Sequence, residues 1–210
     1  MKVKGRIEVI TGSMFSGKTT EWARRLEREK IARKRIVYFK PEFENRYGAD
    51  VIADRNKKNV FKANLLPVNG TAKDIQDIIR LVDNYDVIGI DEAMFLGSWI
   101  INLCETLRRK NKKVVLNGLD MTYEGNPFGH MGSLMAIADD VEKLHAVCIH
   151  CGDDALYNQR LLDGEPAPVG DLVEIGDNTE NVKKISYEAR CLACFVPPEE
   201  VETNKQKIAL

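Results

Sequence analysis

One run of residues constrains this chain more than any other: Gly12-Ser13-Met14-Phe15-Ser16-Gly17-Lys18-Thr19 fits G-x-x-x-x-G-K-[ST] without a mismatch. Residues 6–11 before it (RIEVIT) are rich in β-branched side chains, and residues 18–33 after it are rich in helix formers and charge. Strand, glycine-rich loop and helix in that order is the setting in which the motif cradles phosphate. Gly12 and Gly17 permit backbone angles that turn N–H groups inward, and the positive end of the following helix dipole favours an anion. On this reading the loop Gly12, Ser13, Met14, Phe15, Ser16, Gly17 binds ATP, Lys18 reaches its β- and γ-phosphates, and the Thr19 hydroxyl ligates Mg²⁺. A chance glycine-rich turn, the alternative, would need neither the flanking strand nor the helix.

The pattern that follows extends this unit. Residues 35–40 (RIVYFK) read as a short buried strand stopped by Pro41, and 42–58 as a polar, irregular crossing segment. Thr71 and Asp74 form the cap of a helix whose Ile75, Ile78, Ile79 and Val82 share one face. Residues 86–90 (DVIGI) predict a strand, Ile100, Leu103, Cys104 and Leu107 a further amphipathic helix, and 114–118 (VVLNG) another strand. Strands alternating with helices from residue 6 to about 119 imply an α/β fold with a doubly wound, mostly parallel sheet. Cys104, inside a helical apolar face, reads as a small core residue rather than a nucleophile.

Three further groups carry chemistry. Asp91-Glu92 follows the apolar run VIGI, where a P-loop protein places its acidic strand end beside the phosphates. Asp91 is expected to face the metal. Adjacent carboxylates on a strand alternate in direction, so Glu92 is expected to point at a second substrate as general base. Cys148-x2-Cys151 and Cys191-x2-Cys194 each have the local spacing of a tetrahedral Zn²⁺ thiolate site. Four thiolates leave no open position, so the zinc would be structural, with a redox pair or a chance pairing as the alternatives; His145 and His150 read as bystanders. Last, residues 118–129 (GLDMTYEGNPFG) are turn-rich and aromatic, suited to packing on a flat base or to anchoring the loop itself.

In this order GSMFSGKTTE, IGIDEAMF, GLDMTYEGNPFG, KLHAVCIHCGDDALYNQR and SYEARCLAC resemble the type II thymidine kinases, from about residue 4 to 195. The resemblance implies a kinase domain over 1–140, a zinc-binding domain with a lasso loop over 141–195, and a tail over 196–210. It implies Lys18 and Thr19 serving ATP and Mg²⁺, Asp91 the metal, and Glu92 the proton of the nucleoside 5′-hydroxyl. Arg46, in Glu44-Asn45-Arg46-Tyr47, matches an arginine near the transferred phosphoryl group, with Glu44 where the family has aspartate. Met14, Glu44, Phe95, Leu119, Tyr123, Phe128, Asn158 and Tyr187 would surround the nucleoside. The family pattern further implies thymidine or deoxyuridine as acceptor, a homotetramer, and dTTP as feedback inhibitor. Met94 and Leu96 stand in DEAMFL where DEAQFF is usual, and Asn158 where threonine is frequent; these departures bear on base preference rather than on phosphoryl transfer. The stretch 177–184 (DNTENVKK) reads as a polar extension of the lasso.

Composition excludes other classes. Lysine plus arginine number 31 against 32 aspartate plus glutamate, so the formal net charge of −1 offers no global attraction to nucleic acid or an anionic membrane. An ATP-driven nucleic-acid-binding module, the competing class, would embed its cysteine pairs in basic, aromatic patches, and neither pair is so embedded. The apolar run near the N-terminus is too short for a signal peptide and none reaches the roughly 18 residues of a membrane span, which points to the cytoplasm.

Overall fold

The computed structural model describes residues 4–44, 48, 50–53, 60–170, 185–199 and 201. Arg46, the extension at 177–184 and most of the tail lie outside the described residues. Two compact units emerge from the contacts: Met1–Thr11, Gly17–Asp120 and Phe128–Lys143 form the first, and Gly12–Ser16, Met121–Pro127 and Leu144–Leu210 the second.

The first unit is α/β. In chain order it contains β1 (Arg6–Gly12), α1 (Lys18–Ile31), β2 (Ile36–Pro41), β3 (Val51–Ala53), β4 (Val60–Lys62), β5 (Asn64–Leu66), α2 (Ala72–Leu81) and β6 (Val87–Ile90). A 3-10 turn (Ala93–Phe95), α3 (Trp99–Arg109), β7 (Lys113–Gly118), α4 (Met131–Ile137) and β8 (Asp140–Leu144) follow. Six strands form one sheet in the order β5-β2-β6-β7-β1-β8, and β5, β2, β6, β7 and β1 pair in parallel. The period of two sends alternate side chains to opposite faces. Ile7, Val9, Ile88, Ile90, Val114 and Leu116 meet Ile100, Leu103, Cys104 and Leu107 of α3 on one face, with Ile75, Ile78 and Ile79 of α2 packed alongside. On the other face Trp22 and Leu26 of α1 press on Gly89, where even a methyl group would lie 2.8 Å from both. The Trp22 indole N–H donates to the Val115 carbonyl at 2.9 Å, so this large buried ring is also satisfied. Removing such a side chain from either face, as in Leu103→Ala, costs about 2–5 kcal/mol.

Local signals explain where the helices begin. Thr71 and Asp74 form the expected reciprocal capping box at the start of α2. The polar segment 42–58 contributes β3, which pairs with β4 as a small antiparallel sheet, and β5 follows it as a parallel edge strand; neither β3 nor β5 has the length or alternation that flags a strand from sequence. Cys104 is fully buried in the α3 core, and burial pushes its thiol up to about 12, as suits a packing residue.

In the second unit β9 (Ala146–Val147) pairs with β10 (Asp154–Ala155), while β11 (Tyr157–Leu162), β12 (Glu165–Pro166) and β13 (Ile185–Arg190) make a three-stranded antiparallel sheet with β11 central. Asp163 and Gly164, both at positive φ, make the tight turn between β11 and β12. A small core of Ala146, Cys148, Ala155, Ala189 and Cys191 sits where the two sheets meet the cysteine turns.

Candidate functional site

In the first unit, Gly17 caps α1 in the left-handed conformation (φ 86°, ψ 14°) with no side chain bonded to the helix end. A helix leaves its first N–H groups without intrahelical partners, so this terminus, opened by Lys18 and Thr19, is suited to phosphate oxygens. Asp91 lies just beyond β6, at the same carboxyl edge of the parallel sheet at which β1 delivers the loop. It is 6% exposed, and its Oδ1 accepts from Asn117 Nδ2 at 2.6 Å and from the Glu92 N–H at 3.0 Å. The backbone of Glu92 is left-handed (φ 50°, ψ 43°) and opens the 3-10 turn. Its direction therefore comes from a turn and not from the strand alternation expected. For a non-glycine residue that conformation stores strain, a common mark of a functional position.

The aromatic residues of this unit form a chain of edge contacts. Phe95 meets Phe128 at 5.3 Å with planes 87° apart and Phe43 at 5.0 Å and 75°. Leu119, half-buried, packs on the same core. Met94 and Leu96 are 3% and 2% exposed within that core, so these departures from the family pattern fill volume. The buried Glu44 carboxylate lies 3.3 Å from Nζ of Lys40, a fully buried lysine that also donates to the carbonyls of Gly48 (2.7 Å) and Val51 (2.8 Å). Asp120, after Leu119, is buried with Lys143 Nζ 2.7 Å from Oδ2, a contact off the hydrogen-bond direction that balances charge without satisfying the carboxylate.

In the second unit the loop Gly12–Ser16 is tightly held. Gly12 has φ 133°, and a Cβ there would fall 1.9 Å from the Leu144 carbonyl oxygen, so only glycine fits. Ser13 Oγ donates to the Ala155 carbonyl (2.7 Å), the Met14 N–H donates to Asn158 Oδ1 (2.6 Å), and Ser16 Oγ donates to the Ser13 carbonyl (2.8 Å). Phe15 takes a left-handed φ of 66° and exposes its ring. Tyr123 is 4% exposed: its hydroxyl donates to the Gly170 carbonyl (2.7 Å) and accepts the Gly170 N–H (2.9 Å), and the Arg160 guanidinium lies 3.9 Å from its ring centroid. Burial raises that hydroxyl above the ordinary phenol range. Tyr123 thus anchors the turn-rich segment. Tyr187 stands on β13 opposite Arg160.

The four sulfurs of Cys148, Cys151, Cys191 and Cys194 lie within 4.8 Å of one another. Zn–S bonds of about 2.3 Å in a tetrahedron require sulfurs about 3.8 Å apart, so the cluster can hold a metal such as zinc with little adjustment. Each pair closes a tight turn: the Gly152 N–H donates to the Cys148 carbonyl (2.8 Å), the Phe195 N–H to that of Cys191 (3.0 Å). Backbone N–H groups of Cys191, and of Cys151 and His150, draw the Cys148 thiol down to about 6 against the effect of burial, favouring the thiolate a metal needs. His145 is engaged with Asp154 at 3.2 Å, and neither it nor His150 joins the cluster.

Sequence reading did not single out Lys40, Asn117 or Phe43. None sits in a motif, and only the fold supplies their partners.

A parallel α/β sheet whose first strand enters a glycine-rich loop at a helix N-terminus defines a P-loop nucleotide-binding fold, here joined to a four-cysteine unit. A sequence model of the family described as thymidine kinase matches residues 5–195. A thymidine kinase of Bacteroides thetaiotaomicron is 38% identical over 193 residues, covering 92% of this chain and 88% of that protein. One from Rhodothermus sp. (strain ITI 518) is 40% identical over 204 residues, covering 97% and 87%. Among solved structures, a DNA replication initiation factor aligns with a TM-score of 0.38 at 12% identity, over 67% of this chain and 40% of that one, a likeness that carries no functional argument. The chain belongs to the thymidine kinase family and is an ATP-dependent kinase.

Proposed function

We propose that this protein transfers the γ-phosphoryl group of ATP to the 5′-hydroxyl of thymidine, giving dTMP and ADP in nucleotide salvage and so feeding DNA synthesis. The observation that carries the reading is the Gly12–Thr19 motif, folded as a strand, a glycine-dependent loop and an uncapped helix start, within a chain of this family. The backbone N–H groups of the motif and the Lys18 ammonium hold the phosphates in place. Thr19 and Asp91 are the groups that would hold Mg²⁺, and the buried Asn117–Asp91 hydrogen bond supports that role by fixing the carboxylate. Bound Mg²⁺ would neutralise charge on the β- and γ-phosphates. Glu92 takes the 5′-hydroxyl proton as the new O–P bond forms and the bond to the ADP oxygen breaks. Arg46 is assigned by its sequence pattern to the transferred group.

Phe95, Phe128, Leu119, Met14 and Tyr187 are assigned to the nucleoside, with Glu44 and Tyr123 shaping the surrounding loops through Lys40 and Gly170. Zinc in the four-cysteine cluster is structural, since four thiolates complete a tetrahedral shell. A homotetramer, inhibition by dTTP and a cytoplasmic location complete the reading; no helix among the described residues is long and apolar enough to cross a membrane. A panel of nucleosides assayed with ATP and Mg²⁺ tests it: thymidine is expected to be phosphorylated best, with deoxyuridine second. A preference for purine nucleosides would refute the acceptor assignment.

A further inference from the structure

The first half of the phosphate loop leans on the cysteine-bearing unit through side-chain bonds. Ser13 is fully buried and its hydroxyl donates to the carbonyl of Ala155, the last residue of β10. Three residues beyond Ala155, β11 carries Asn158, 2% exposed, whose amide is used at both ends. Its Oδ1 accepts the Met14 N–H at 2.6 Å, and its Nδ2 donates to the Met121 carbonyl at 2.9 Å. The two partners fix the amide orientation: a backbone N–H must meet the oxygen and a carbonyl must meet the nitrogen. Asn158 is itself held rigidly, because β11 pairs with β13 from Tyr157↔Arg190 to Leu162↔Ile185 and Asn158 stands opposite Ala189. Ala155 and Ala189 belong to the same small core as Cys148 and Cys191.

We infer that Asn158 is a positioning residue of the ATP site, fixing the entry of the phosphate loop through the Met14 N–H while tying it to the segment that begins at Met121. This inference rests on the reading of Gly12–Thr19 as the donor site. Its physical basis is the placement of the loop's N–H groups. A phosphate loop works by presenting donors in one prearranged concavity, and Met14 lies between Gly12 and the left-handed residues Phe15 and Gly17 that shape it. Fixing Met14 from outside sets the path of the chain before those turns. Threonine, frequent in the family at this position, has one polar atom and a shorter side chain, so it cannot reproduce the two-ended bridge.

The test is substitution with separate readouts for the two substrates. Without Asn158 the segment at Met14 must be ordered by the nucleotide itself, and an ordering cost of about 1.4 kcal/mol is tenfold in affinity. Asn158→Ala is therefore expected to raise the Kd of a non-hydrolysable ATP analogue with Mg²⁺ about tenfold, a larger factor than any rise in the thymidine KM, with bound zinc retained. Asn158→Thr is expected to restore part of the analogue affinity. A variant in which only the thymidine KM rises would overturn the inference by making Asn158 a nucleoside contact. Amide hydrogen exchange of the parent protein gives a readout independent of whether variants fold: the Met14 amide is expected to be protected, and exchange at the rate of a free amide would overturn it. Lys18→Ala is the control for the underlying reading, since unchanged analogue affinity there would show that the loop is not the donor site at all.

Discussion

At Glu92 the backbone turns left-handed immediately after a carboxylate that is buried and doubly hydrogen-bonded. Asp91 is thereby fixed and Glu92 redirected, a division of labour suited to one group that holds charge and one that moves a proton. Glu92→Gln keeps size and backbone while removing the base, so kcat is expected to fall by roughly 10²–10⁴ with thymidine KM changed little, as steady-state kinetics would show. Near-normal turnover would remove Glu92 from the chemistry. The neighbouring pair Lys40 and Glu44 shows what sequence leaves hidden. Glu44 was legible as a member of an E-N-R-Y element, but its buried partner four residues earlier was not, because nothing in a strand of β-branched and aromatic residues announces that its lysine points inward.

At the scale of elements, the legible parts were those encoded locally. The strand-loop-helix at Gly12–Thr19, the Thr71–Asp74 box and the apolar faces of α2 and α3 each depend on residues within a few positions of one another. By contrast β5 is too short to alternate visibly, and Asn158–Met14 and Asn117–Asp91 join residues 144 and 26 positions apart, contacts that only sheet order creates. α1 adds a charged layer over the sheet edge: Arg25 reaches Glu8 (3.0 Å), Glu21 (3.0 Å), Asp140 (2.6 Å) and Glu142. Hydrogen bonds from Arg24, then Arg25, hold the Glu21 carboxyl at about 2, below its ordinary 4.5. A depressed carboxyl stabilises the fold above the unfolded value and loses that contribution as pH falls from about 4.5 through about 2. Urea midpoints at pH 6 and pH 3 should accordingly fall more in the parent than in Glu21→Gln; equal losses would assign the acid sensitivity elsewhere.

At the scale of the whole molecule, the chain is divided in a way its linear order conceals: Gly12–Ser16 and Met121–Pro127 group with the cysteine-bearing residues rather than with the sheet. Spacing made the cysteine pairs legible as a metal site, yet gave no sign that strands between them also carry Ala155 and Asn158, which brace the loop. Cys148→Ser is expected to release zinc from a parent that carries about one per chain, because three thiolates close a tetrahedral site poorly. Loosening of the small core around Cys148 and Ala155 should then weaken ATP binding as well as nucleoside binding. Metal analysis with nucleotide titration would show both, and full ATP affinity without zinc would uncouple the cluster from the loop. The central claim is phosphoryl transfer through the Gly12–Thr19 loop. Its most direct test is to follow label from [γ-³²P]ATP in the presence of thymidine and Mg²⁺, comparing the parent with Lys18→Ala. Labelled dTMP is expected from the parent and almost none from the variant. Label released only as inorganic phosphate, or equal dTMP from both proteins, would contradict it.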